Sequence, residues 1–584
     1  MNKKPTFSEL KTFLDEQLQH GSNHHITVFP LRCGIGKSTY IRYTISDTLQ
    51  NGRSGLIVIT DAIDRLHEYV NADYLEINRD RIALLTSDTV RDELKTQWRK
   101  PILIMTTQRY FALSREEIIA FTKYEGGNRR DKIIFDEKPY LIERHKVRIK
   151  TFNDIDTALH ESIDDTIDPD EKAWITTQWK ILIERMKEIM VAYESMTENQ
   201  LEKWHYIPNS TLTEDDSRFF TFIERHKQKL NQSNNGVYVD IQAIRKLVYE
   251  GATIICHKMA SGEYEKCFVV TWDNSEKLLN LGADVYVLDG TADIDPEYQV
   301  HYAKMVDCTD FLVPLKNLTI NIVDAPTTSK TRLCKDESAS RNTISALKRY
   351  METDAERVSA IFTYQKIVNQ FESILPADGL TGHFGAIKGS NRYRNMTHIA
   401  QVGLNRYSDT EYRQIAYLTK LLEEDSGASR VTRVIGQSAI DKVMNLSLLA
   451  DFEQNLFRSK LRNIDCVDNV VYTLFINISA YQGLINLITE RYGKRLGATI
   501  KIINRPAELD IAKAQNRKAS KKTYAQLVID WINLQPSGSR FTTSQLREAC
   551  QLTREQWKNA KKSVGVDRLL SKMRDTTPDE FVVP

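Results

Sequence analysis

The sequence predicts an α/β fold made of two mostly parallel sheets, a helical insertion and a small helical module at the C-terminal end. Three observations predict it. From residue 26 onward, short apolar runs alternate with helical stretches, and the first run leads into a glycine loop. The same alternation starts again near Leu318. Residues 141–245 and 523–584 instead carry helical periodicity broken by turn signals. Apolar strands alternating with helices are the pattern of parallel sheets buried on both faces.

Bulk composition sets the frame. A chain of 584 residues exceeds what one growing core serves, so several domains are expected. With 41% hydrophobic and 27% charged residues it reads as soluble and globular. The net charge of +2 means that any nucleic-acid footprint must be a local patch. Seven cysteines lack a short repeated spacing, which argues against a zinc site and fits the reducing cytoplasm. No apolar leader and no long apolar run stands in the sequence, so no membrane partner is expected.

The first strand, Ile26–Leu31, is followed by Arg32, Cys33, Gly34, Ile35, Gly36, Lys37, Ser38 and Thr39, then by helical spacing through Leu49. Strand, glycine loop, Lys-Ser/Thr and helix form the context of a phosphate-binding loop. Leu31 stands where the full motif has its first glycine. Gly34 and Gly36 still let the backbone amides wrap phosphate oxygens. Lys37 suits the β/γ-phosphates of ATP and Ser38 suits Mg²⁺. Gly55–Thr60, Ile82–Asp88, Pro101–Gln108 and Lys132–Glu137 are further apolar runs with polar ends. Sites in such sheets lie beyond the strand C-termini. Asp136 is placed to hold Mg²⁺, and Glu137 to activate water as a general base.

This order resembles the motifs of superfamily 1 and 2 helicases of the DEAD/DEAH-like kind. Arg32–Thr39 looks like motif I, Ile59–Asp61 like motif Ia, Thr106–Gln108 like motif Ib and Asp136–Pro139 like motif II. Val287–Ala292 looks like motif III, Arg357–Thr363 like motif IV, and His383–Asn391 with Thr397–Gly403 like motif V, including Lys388 and Gly389. Gln454–Arg462 looks like motif VI, where the spacing predicts Gln454, Arg458 and Arg462 on one helical face. The resemblance implies two RecA-like P-loop motor lobes with ATP between them, and an arginine finger, assigned to Arg462 with Arg458 beside it. Lys138-Pro139 departs from the best-known forms of motif II, which leaves open whether strands are separated. The loop Lys388-Gly389-Ser390-Asn391 and the small C-terminal module also resemble those of helicase-like proteins of phages, plasmids or integrated elements.

The expected lobes are 1–140 with 246–317, and 318–490. Glu250–Val270 and Lys277–Leu288 are expected to return to the first sheet. Between motifs II and III, residues 141–245 form the mainly helical insertion, either a nucleic-acid contact or a packing module. Its Trp174, Ile175, Trp179, Ile181, Leu182, Met186 and Met190 fall near one helical side. Thr327–Lys330 reads as a polar loop. Residues 491–522 form a basic linker, with ten Lys/Arg against Glu508 and Asp510. It is either a phosphate-contacting strip or a solubilising segment. Thr542–Lys562 resembles a helix-turn-helix, with Thr543 and Thr553 as caps, Gln556 completing a capping box, and Arg554, Lys558, Lys561 and Lys562 outward. Its rival is a protein-docking module. The functional expectation is an ATP-dependent helicase or translocase on nucleic acid, DNA favoured over RNA. The alternative is a P-loop ATPase that remodels a protein or nucleoprotein complex.

Overall fold

The computed structural model describes residues 5–52, 54–70, 80–86, 99–162, 168–192, 205–207, 213–233, 237–258, 264–325, 328–335, 337–353, 358–387, 390–419, 437–506, 524–550, 552–561, 564–573 and 580–583. They form two compact units, one from residues 1–335 with 355–504, the other from 336–354 with 505–584.

The larger unit begins with α1 (Phe7–Gln17), capped by Thr6 and Glu9. Strand β1 (Ile26–Phe29) feeds the glycine loop and α2 (Lys37–Asn51). Then come β2 (Gly55–Thr60), α3 (Ile63–Val70), β3 (Ile82–Leu85), β4 (Ile102–Thr106) and β5 (Arg130–Asp136). With β10 (Asp284–Leu288) and β11 (Ala303–Met305) they make a seven-stranded sheet ordered β11-β1-β10-β5-β2-β4-β3. All its pairings are parallel. Side chains alternate between its faces. Leu56 and Val58 join the core under α1 and α2, whereas Ile57 and Ile59 join the opposite core with Ile133 and Phe135. Both faces are therefore apolar, which is why these strands read as unbroken runs.

After β5 the chain builds an accessory module. It holds β6 (Ile142–Val147), α4 (Ile149–Ser162), α5 (Pro169–Ala192), β7 (His205–Ile207), α6 (Glu214–Ser233), α7 (Val237–Glu250), β8 (Ala252–Lys258) and β9 (Tyr264–Asp273). Its four strands pair antiparallel in the order β6-β9-β8-β7. Residues 252–273 thus do not return to the first sheet as expected; only 284–288 does. The reason is pairing: β9 takes β6 on one side and β8 on the other, which leaves it no edge to offer. Trp179 is a core residue, stacked on Phe219 at 6.0 Å. Ile181 points outward, 50% exposed, away from the side its periodicity predicts.

The second lobe holds β12 (Leu318–Asp324), β13 (Ala360–Thr363), β14 (Leu380–His383), β15 (His398–Val402), α8 (Asp409–Leu418), α9 (Gln437–Leu456), β16 (Val470–Ile476) and β17 (Thr499–Ile503). Its six strands are all parallel, ordered β14-β13-β15-β16-β12-β17. The expected linker therefore starts too early. Residues 489–495 are helical and 499–503 pair with β12. Arg491 binds Glu453 and Asp293 rather than solvent. Residues 507–522, like Thr327, lie outside the described residues. Helix α9 enters both cores: Ala439, Ile440 and Val443 pack with the first lobe, Leu448, Leu449, Phe452 and Leu456 with the second.

The smaller unit packs α10 (Tyr524–Asn533), β18 (Arg540–Thr542), α11 (Thr543–Ala549), α12 (Arg554–Lys561), α13 (Val564–Met573) and β19 (Glu580–Val582) around Val528, Leu546, Trp557 and Phe581. Thr542, not Thr543, caps α11, with Gln545 closing the box. Thr553 and Gln556 bond reciprocally at the start of α12.

Candidate active site

The glycine loop joins β1 to α2. Gly34 and Gly36 take φ of 88° and 111°, a region that favours glycine. Gly34 is also demanded by space, because a Cβ there would lie 1.7 Å from the Arg462 carbonyl oxygen. Lys37 opens α2, and its Nζ donates to the Leu31 carbonyl at 2.6 Å. Ile35 is buried in the core beneath α1, so it offers only its backbone to a ligand. Arg32 turns towards the second lobe. Its guanidinium donates to the Leu461 carbonyl at 2.6 Å and sits 4.4 Å above the Phe457 ring. Burial lowers its pKa to about 10, against the pull of Glu453.

Opposite the loop, the ends of β2 and β5 and the helix α3 place five polar side chains together. Asp136 is buried at the end of β5. Its Oδ2 accepts from Tyr69 Oη and from Arg65 Nη1 at 3.0 Å. Arg65 Nη1 also donates to Glu137 Oε1 at 3.0 Å. Glu137 adopts φ of 106°, a left-handed backbone that costs a residue with a Cβ about 1–2 kcal/mol. Asp61 shares a hydrogen bond with Glu137. Burial pushes the Asp61 carboxyl up to about 7, helped by the Glu137 charge. Burial also works against the Glu137 charge, but Arg65, Arg458, Asp61 and Lys37 outweigh it and hold the carboxyl down at about 2. Glu137 is thus a carboxylate hydrogen-bonded to a neighbour that readily carries a proton. Next to it, Lys138 bonds Asp295 at 2.6 Å and Glu297 at 3.0 Å, tying the end of β5 to the segment after β10.

The second lobe supplies the other wall. Helix α9 ends at Leu456, so Gln454, Arg458 and Arg462 do not share a helical face as the spacing predicts. Gln454 stands in the last turn and Arg462 in a short 3₁₀ turn, Lys460–Arg462. Arg458 lies in the turn between, because the carbonyls of Glu453 and Asn455 bond the amides of Phe457 and Arg458 as the helix closes. The three residues still reach the cleft. Gln454 Nε2 donates to Thr291 Oγ1 at 3.4 Å. Arg458 is buried beside Glu137 and Lys37, in a narrow recess that Asp289 also lines. Arg462 bonds Asn391 and lines a neighbouring cleft with Cys33, Gly34, Gly36, Lys37, Ser38, Thr39, Asp136 and Glu137. Lys388 and Gly389, beside Asn391, lie outside the described residues.

The donor set fits a divalent cation that a bound polyphosphate would complete. Asp136 Oδ1 is buried with no hydrogen-bond partner among the described residues. The Ser38 hydroxyl is within bonding reach of Tyr69, which holds the other Asp136 oxygen. Among the described residues no three His, Cys, Asp or Glu gather as a cage, so one carboxylate and one hydroxyl are the protein's share.

Arg65, Tyr69 and Asp61 were not singled out as site residues by the motifs. The signal was present: positions 61, 65 and 69 follow an apolar strand at four-residue spacing, which puts them on one face of α3 and its approach.

Comparison with protein-family profiles and with curated sequences returns no match. The structure is similar to S. tokodaii Xpd4, with a TM-score of 0.46 and 12% identity over 85% of this chain and 99% of that one. It is similar to a structure called XPD_APO, at 0.46 and 12%, over 85% and 100%. It is also similar to S. cerevisiae Dbp5 bound to RNA and ADP BeF3, at 0.36 and 8%, over 87% and 96%. Likeness at this distance carries no functional weight; the side chains at the cleft do.

Proposed function

We propose that the chain is a superfamily 1/2 helicase-like ATPase, which hydrolyses ATP between two RecA-like lobes and moves on nucleic acid, DNA in preference to RNA. One observation carries it: the ionised Glu137 at a strand end shares a recess with the phosphate-loop Lys37 and with Arg458 from the other lobe. A base, a phosphate-binding cation and a second-lobe cation in one cleft are what phosphoryl transfer to water needs.

Each residue then has a task. Lys37 exchanges the Leu31 carbonyl for a phosphate oxygen. The amides from Cys33 to Thr39 cradle the polyphosphate. Ser38 and Asp136 would hold Mg²⁺, which would supply neutralising charge for the phosphates. Glu137 orients the attacking water and takes its proton. Arg462 and Arg458 meet the charge that develops on the transferred group. Gln454 bonds Thr291, so the second lobe is in contact with the segment that follows β10.

The reading of DNA as the track is supported by the smaller unit. There α12 buries Trp557 and Ala560 and exposes Arg554, Lys558 and Lys561. That is a basic helix face suited to a phosphate backbone. The decisive experiment is ATP turnover at low salt with single-stranded DNA, duplex DNA and RNA, beside Lys37→Ala. DNA should stimulate turnover and Lys37→Ala should abolish it. Stimulation by RNA alone would move the track to RNA. Turnover indifferent to all three would leave an ATPase that remodels a protein or nucleoprotein complex.

A further inference from the structure

We propose that Arg65 is a built-in counter-cation, which neutralises Asp136 and Glu137 and competes electrostatically with the metal ion that Ser38 and Asp136 would hold. The inference rests on the reading of Ser38 and Asp136 as the metal-holding pair.

One guanidinium nitrogen, Nη1, lies 3.0 Å from Asp136 Oδ2 and 3.0 Å from Glu137 Oε1. The Arg65 side chain is 9% exposed and that of Asp136 is 1% exposed. Asp136 is the buried member of the pair and Glu137 is 22% exposed; a carboxylate as buried as Asp136 needs a cation, since an unpaired buried charge is strongly destabilising. Asp136 Oδ1 stays without a hydrogen-bond partner among the described residues, so Arg65 satisfies the charge of the pair without completing its bonds. A metal bound by Ser38 and Asp136 would bring positive charge to the same carboxylate, through the Oδ1 that Arg65 leaves open. Arg65 and the metal repel one another at that range, so each weakens the other's hold. The sequence builds the device simply. Helix α3 starts just past β2, and Arg65 and Tyr69, four residues apart, meet Asp136 at the end of the neighbouring β5.

The alternative is that Arg65 is a fixed structural partner of motif II, indifferent to metal. Mn²⁺ binding to the full-length, nucleotide-free protein, followed by electron paramagnetic resonance, separates the two. Wild type should bind Mn²⁺ weakly. Arg65→Gln should bind it about tenfold more tightly or better, the scale on which a close opposite charge shifts an ion's affinity. Adding Asp136→Asn to Arg65→Gln should erase the gain, which places the ion. Unchanged or weaker Mn²⁺ binding in folded Arg65→Gln overturns the proposal, as does a gain that survives Asp136→Asn. Should Arg65→Gln fail to fold, Arg65→Lys keeps a cation on a shorter reach and should show a smaller gain; no gain there overturns the proposal equally. None of these readings requires hydrolysis. A chain that turns over ATP yet shows no gain fails this inference alone, and one that shows the gain without turnover fails the functional reading alone.

Discussion

The two walls of the cleft are built in opposite ways. The acidic wall is a property of one lobe: Asp61, Arg65, Tyr69, Asp136 and Glu137 come from adjacent strand ends and one short helix, and they bond one another. The arginine wall is a helix end, a turn and a 3₁₀ turn, and much of its setting comes from across the cleft. Arg32 of the first lobe grips the Leu461 carbonyl, Gly34 abuts Arg462, and Thr291 meets Gln454. A self-paired wall is ready before the lobes meet, whereas a wall set by its opposite number changes whenever they part. On the proposed function, hydrolytic chemistry belongs to the first wall and its control to the second.

That contrast can be broken most severely at the acidic wall. Glu137→Gln should lower turnover about 10²–10⁴-fold while fluorescent-nucleotide titration shows binding retained. Arg462→Ala strikes the other wall. It should lower turnover about 10³-fold with nucleotide affinity nearly unchanged, as single-turnover kinetics would show; equal losses of binding and turnover would erase the distinction. Arg491→Met sharpens it further, because Arg491 binds Glu453 of its own lobe and Asp293 of the other. Leaving the buried Glu453 with no bonded cation among the described residues, and only the Tyr492 hydroxyl, should cost about 3 kcal/mol in urea unfolding. Nucleic-acid stimulation should fall more than unstimulated turnover. The smallest effect belongs to the smaller unit: Thr542→Ala removes a helix cap and should cost about 1 kcal/mol locally. It should speed hydrogen exchange across residues 543–549 without changing turnover.

The same contrast explains what could be read from the sequence. Local order made the first lobe legible: β1, the glycine loop and α2 are contiguous, and Asp136-Glu137 ends an apolar run. The two parallel sheets followed from the same alternation. Tertiary pairing hid the rest. Strands β8 and β9 look like any apolar runs, and only the presence of β6 claims them for a separate antiparallel sheet. Periodicity carried the helix through Arg462, but the turn that closes at Phe457 is set by backbone bonds and by Arg32 packed on the Phe457 ring. Basic composition suggests a linker at 491, yet Arg491 is a half-buried partner of two carboxylates, which composition cannot distinguish. Arg65 carries no motif signature in the sequence, because arginine on a polar helix is ordinary until the neighbouring strand end is known.

Helix α9 sets a mechanical limit on all of this. Its 20 residues make a rod of about 30 Å. One end is embedded in each lobe, and Met444 touches both cores. A rod so fixed cannot act as a loose tether. Parting the lobes means slipping one half of its side chains against their sockets while the other half holds, and close-packed interiors slip in discrete jumps rather than by degrees. The cleft should therefore have a few settled widths, and the slip at Met444 would be the clutch between them.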